Sequence, residues 1–182
     1  MTMKKNFYKV LGVLGILFII SYFIFGFPLI VLKPSSTLQL NVNNNSFIKG
    51  DTIKPLKQYD LIENNCSVYL VIHRNEVEYL PSFVERKNFQ LSKVLWTDDI
   101  EVLKKIQKHF NFTYTGGDIA TCQSMIYVYS DNDLIFQSAI VLEEDKFGLQ
   151  NQLFGWTPAL NSNEIIRILK EFKPYYYPIL SL

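Results

Sequence analysis

SMIYVYSDNDLIFQSAIVL, residues 124–142, is the stretch that most directly sets the fold class. Ser124 to Ser130 and Leu134 to Leu142 are rich in β-branched and aromatic residues. Asp131-Asn132-Asp133 lies between them as a run of turn formers, so the segment predicts a β-hairpin. Upstream, Thr115-Gly116-Gly117-Asp118 supplies the preceding turn, because glycine reaches positive φ without a Cβ clash. It lacks the GxGxxG or GxxxxGK[ST] context of a phosphate loop, and a strand rather than a helix follows it.

Further upstream the periodicity changes from two to 3.6. Ile100, Val102, Leu103, Ile106 and Phe110 fall on one side of a helical wheel, with Glu101, Lys104, Lys105 and Lys108 on the other. Asp98 with Glu101 gives a capping-box pattern for this helix, and Asp99 suits its positive end. Ahead of it, Ser67 to His73 is a continuous apolar run, as in a strand buried on both faces. Val77 to Leu80 and Phe89 to Trp96 are further strand candidates, and Leu38 to Val42 is a short alternating one before the Asn43-Asn44-Asn45 turn.

Downstream, residues 143–160 form a longer connection rich in Gly, Gln, Asn and aromatics. A second amphipathic helix runs from about Ser162 to Phe172, capped by Asn161 with Glu164 and ended by Pro174. Tyr175 to Leu180 is a candidate last strand. The expected fold class is therefore α+β: one domain with an antiparallel or mixed sheet and two helices. From Phe89 onward the order strand, helix, strand, strand, helix, strand matches a ferredoxin-like βαββαβ arrangement, preceded by extra N-terminal strands.

The N-terminal stretch VLGVLGILFIISYFIFGFPLIVL carries no charge between Lys9 and Lys33. At 1.5 Å per residue it would span about 34 Å as a helix, enough for a hydrocarbon core of about 30 Å. Lys4, Lys5 and Lys9 precede it, and the positive-inside bias then leaves the N-terminus in the cytoplasm. The run is longer than the apolar region of a cleaved signal peptide, and small-x-small cleavage sites are poor. The expected organisation is a cytoplasmic segment 1–9, a single-pass transmembrane anchor 10–32, a linker 33–37 and an exported domain 38–182. That places the protein in the inner (cytoplasmic) membrane with its domain on the periplasmic side.

Composition excludes some classes. The 182 residues are 48% hydrophobic with fourteen Phe and eleven Tyr, which argues for a packed core. A net charge of +1 shows no basic excess of the kind nucleic-acid binding requires, so no nucleic-acid partner is expected.

The two cysteines, Cys66 and Cys122, each precede a predicted strand. In an oxidising compartment they are disulfide candidates, weighed against two buried free thiols and against a nucleophile. A bridge would close a loop of about 57 residues, worth roughly 4 kcal/mol in the loop-entropy picture. His73 and His109 sit at the edges of apolar elements, and neither has partners at zinc-ligand spacing. Glu143-Glu144-Asp145 has no EF-hand spacing and suits a solvated loop. No GxSxG, cofactor or metal motif is present. Phe147, Leu149, Leu153, Phe154 and Trp156 gather apolar side chains in what looks like a loop, which makes them the first candidates for a protein-binding surface. The chain is thus expected to be a membrane-anchored, non-enzymatic binding module for another envelope protein, either an immunity protein or an accessory subunit. The alternatives are a small envelope hydrolase using Asp118, His73 or Cys122, or a ligand sensor.

Overall fold

The computed structural model describes the chain except for residues 1, 26–27, 29, 35–46, 74–75, 77–93, 118–121, 144–145 and 152–153; for 2–5 and 23–25 it describes backbone alone. The expected strands 38–42 and 77–80, and most of 89–96, lie outside the described residues, as does the turn at Asn43–Asn45.

The hairpin forms as its residues require. Strand β6 (Met125–Ser130) pairs antiparallel with β7 (Asp133–Val141), Ser130 opposite Asp133. The turn is only two residues long. Asp131 and Asn132 take φ of 48° and 73°, the positive values a hairpin turn matched to strand twist needs, and Asp and Asn adopt them at low strain. A register shift between Val128 and Tyr129 adds a bulge.

Strand β3 (Cys66–Val71) lies on the other side of β6, antiparallel to it, and β4 (Val94–Thr97) pairs antiparallel with β3. Helix α2 (Ile100–His109) follows β4. Strands β8 (Gly148–Asn151) and β9 (Gly155–Pro158) make a second hairpin on β7, and helix α3 (Ser162–Leu169) leads to the edge strand β10 (Lys173–Pro174) on β4. The result is an antiparallel sheet of seven strands in the order β10-β4-β3-β6-β7-β8-β9. Two small pairs accompany it: β2 (Thr52–Ile53) with β5 (Phe112–Thr113), and β1 (Ile30–Leu32) in parallel with β11 (Ile179–Ser181).

The protein is α+β, but the ferredoxin-like expectation is corrected. In that split βαβ arrangement the second hairpin strand, β7, would lie between β4 and β6. Here β3, from upstream, occupies the slot, antiparallel to both neighbours. The reason is burial. Cys66, Val68 and Leu70 face the core, and a strand so apolar gains most from a central position. Three helices are present among the described residues, with α2 and α3 where the two domain helices are expected.

The third is α1 (Thr2–Phe25), and it corrects the expected anchor. The apolar run 10–32 is not one helix. The helix ends at Phe25, and Ile30–Leu32 is an extended strand whose Ile30 N–H donates to Pro178 O at 3.2 Å. The helical part, 10–25, is about 24 Å long, short of the roughly 30 Å of a hydrocarbon core. Among the described residues no helix is long and apolar enough to cross a membrane. The side chains of α1 from Phe7 to Ile20 are exposed on every side.

Helices α2 and α3 cover one face of the sheet. Val102, Leu103, Ile106, Ile165, Ile168 and Leu169 pack on Val68, Leu70, Ile126, Val128 and Leu149 in one cluster. Both helices are capped by side chains. Asn161 Oδ1 accepts from Glu164 N–H at 3.1 Å, as its spacing predicts, but α2 is capped by Asp99 rather than Asp98. Asp99 Oδ1 accepts from Glu101 N–H at 2.9 Å and Val102 N–H at 3.4 Å.

The β8–β9 hairpin depends on a missing side chain. A Cβ on Gly148 would meet Thr157 O and come within 2.6 Å of Trp156 Cη2, so the indole lies where a side chain would otherwise be. Backbone oxygen cannot yield as a flexible side chain can. Gly148→Ala is therefore expected to destabilise the fold by about 2 kcal/mol or more, read as a lower denaturation midpoint with unchanged slope. An unchanged midpoint would show that the hairpin relaxes freely.

Candidate functional site

Replacement of Asp98 by Asp99 at the helix cap has a local result. The Asp98 carboxylate is exposed and makes no hydrogen bond or ion pair among the described residues. It borders a cleft of about 330 Å³ formed where the ends of β3 and β4 meet the loop 61–65 and the start of α2. Leu61, Ile62, Ile100 and Leu103 supply apolar wall, and Asn65, Cys66, Ser67 and Trp96 complete it.

The loop holds its shape through acidic side chains. Asp60 Oδ1 accepts from Ile62 N–H at 3.0 Å and Glu63 N–H at 3.1 Å, and Asp131 Oδ1 accepts from Asn65 Nδ2 at 3.1 Å. Asn65 itself takes φ 31°, which tightens the entry to β3. Burial pushes the Cys66 thiol above its ordinary value. A Ser130 hydrogen bond opposes this, and the nearby Asp131 and Asp60 charges add to it. Asp60 and Asp131 thus place negative charge near Cys66, and among the described residues no Lys or Arg lines the cleft.

Trp96 also belongs to an aromatic cluster on the sheet face opposite the helices. Tyr69 stacks on Trp96 with ring centroids 6.1 Å apart and meets Tyr129 edge-on at 5.9 Å. Tyr175 packs edge-on against both Tyr69 (6.3 Å) and Trp96 (6.4 Å), and Tyr177 continues the chain of rings at 5.5 Å. Alternation in the strands puts these residues together. Tyr69 is directly opposite Trp96 on one side and Tyr127 on the other, so all three leave the sheet on the same face. Burial, with Tyr127 and Tyr69 nearby, pushes the Tyr129 hydroxyl up to about 12. Tyr177 is 67% exposed.

The expected binding loop is not a loop and not a surface. Phe147, Leu149 and Phe154 are buried in the core, Trp156 is half-buried over Gly148, and Leu153 lies outside the described residues. Short Gly- and Gln-containing strands carry little period-two signal, so their apolar side chains looked free in the sequence. The disulfide expectation is corrected too. Both cysteines are free thiols. Cys66 opens β3 opposite Ser130, whereas Cys122 precedes Met125, which pairs with Val71 at the far end of β3. The bridge required parallel strands; antiparallel pairing separates the cysteines by about 17 Å or more of strand, against roughly 7 Å at most for a disulfide.

Cys122 sits in a different cluster. Its Sγ–H donates to Ile140 O at 2.8 Å, and the Glu76 carboxylate accepts from Gln123 N–H at 2.6 Å and Ser124 N–H at 2.9 Å. The buried Ser124 Oγ accepts from His73 N–H at 3.0 Å. Although Cys, His and Glu gather here, burial first and the Glu76 charge second push the thiol up to about 11. A thiol so placed is protonated at neutral pH and is a poor nucleophile. Asp118, named with these residues for hydrolysis, lies outside the described residues. His109 Nε2 is 4.0 Å from Glu164 Oε1 at the helix pair, a structural setting. Among the described residues no group of three or more His, Cys, Asp or Glu could hold a metal ion.

Comparison with known proteins finds no family model, no curated protein and no solved structure that matches the chain.

The Cys122 environment makes a pH-dependent expectation. With its folded value near 11 and an ordinary value of 9.0, the thiol favours folding at and below pH 9, and that contribution falls as pH rises through 11. Iodoacetamide should label Cys122 in the folded chain only as pH climbs toward that range. Glu76→Gln removes the nearby negative charge and should move labelling to lower pH; identical profiles would exclude the assigned cause.

Proposed function

We propose that the protein is a non-enzymatic binding module that recognises another protein at the cell envelope, as an immunity protein or an accessory subunit of an envelope complex. The observation that carries the proposal is the ring cluster Tyr69, Trp96, Tyr175 and Tyr177 on the sheet face away from the helices. Large aromatic side chains with few rotatable bonds are the commonest anchors of protein interfaces, because they bury much area for little lost entropy. Trp96 also borders the cleft that holds Asp98, so the cluster adjoins a carboxylate. The envelope setting is supported by Lys4, Lys5 and Lys9 ahead of the exposed apolar surface of α1, and it requires no membrane span.

The test is capture of partners from envelope extracts of the native host by the tagged full chain. Tyr177→Ala and Trp96→Ala are compared with the exposed control Lys146→Ala. A protein retained by the wild type and the control should be retained about tenfold less by the aromatic variants, the effect of losing an interface anchor. Tyr177 is exposed enough that its truncation leaves the core intact. Capture that responds to neither aromatic substitution would overturn the proposal.

A further inference from the structure

We infer that the cleft beside Trp96 receives the ammonium or guanidinium group of a lysine or arginine side chain presented by the protein partner. The inference rests on the binding-module reading above and names the chemistry of one contact within it.

The walls divide as such a side chain divides. Leu61, Ile62 and Ile100 offer apolar surface to a methylene stem, and Trp96 borders the same cleft. Asp98 stands at the same cleft with its carboxylate unused by the helix cap, which Asp99 fills. Asp60 and Asp131 hold the loop by accepting from N–H donors, and both carboxylates act on the Cys66 thiol at the cleft. An anion would meet these carboxylates with no Lys or Arg among the described lining residues to offset them. A divalent metal would find one carboxylate where six or more oxygen ligands are usual. A neutral apolar side chain would satisfy the walls and leave Asp98 unused. A long stem ending in a positive charge satisfies both.

The full chain, labelled with ¹⁵N, can be titrated with N-acetyl-arginine amide, N-acetyl-lysine amide and N-acetyl-norleucine amide. The Trp96 indole N–H signal, assigned with Trp96→Phe, is the reporter. The two cationic probes should shift it saturably and norleucine should not. Asp98→Asn should weaken binding about tenfold, as loss of a partly desolvated charge partner does, while Asp98→Glu largely preserves it. Asp98 is exposed and outside the cap, so neither variant threatens folding. Absence of a saturable shift, an equal response to norleucine, or indifference to Asp98→Asn each overturns the inference. If the probes fail while Tyr177→Ala still reduces partner capture, the cleft assignment falls and the binding-module reading stands. If the probes bind but no partner is captured, a partner side chain as the source of the cation is excluded.

Discussion

Strand β3 lies between β4 and β6, antiparallel to each, and its register fixes which side chains leave the sheet on which face. Cys66, Val68 and Leu70 point to the helices and Tyr69 points away, because successive strand side chains alternate. A slip of one residue would exchange the faces, putting Tyr69 into the core and Val68 into the ring cluster. The buried face prevents this slip. Burying Val68 and Leu70 completely is worth about 1.5–3 kcal/mol each, far more than any single ring contact on the other face. The aromatic face is thus held in place by the helical one.

The same pairing sets what the two thiols can do. Antiparallel strands carry Cys66 to one end of the sheet and Cys122 to the other, so the pair serves two unrelated neighbourhoods. At the first end, acidic loop residues surround a cleft. At the second, Glu76 ties Gln123 and Ser124 to the turn after β3, and its charge suppresses thiolate formation at Cys122. The second cluster has a structural role, since its carboxylate accepts from two backbone N–H groups and so ties the two segments together.

What could be seen in the sequence follows from how local each cause is. The 124–142 hairpin and the Asn161 cap were legible because turn and cap chemistry act within four residues. The hairpin β8–β9 was hidden because its strands are short and contain Gly148, whose role is to admit a Trp156 ring contributed by the opposite strand. The position of β3 was hidden because strand order depends on total burial, not on any neighbouring residue. The apolar run 10–32 was misread as a single helix because hydropathy does not register a break. Ile30–Leu32 is apolar for a different purpose, pairing with Ile179–Ser181. Of the candidate site, Tyr69 and Trp96 were visible only as strand residues. Nothing in their spacing brings them opposite each other, and Tyr175 comes from the far end of the chain.

Asp98 and Asp99 show how one residue of register separates structure from recognition. Either aspartate could open the helix by composition, and the backbone selects Asp99, whose extended ψ of 120° aims its carboxylate at the first free N–H groups. Its neighbour Asp98 accepts none of the helix N–H groups among the described residues. A carboxylate in that condition remains available to an external cation. Had Asp98 been the cap, its carboxylate would be engaged by the helix, and the apolar walls of the cleft would fit a neutral side chain instead. The specificity of the cleft therefore originates in the same turn that starts the helix.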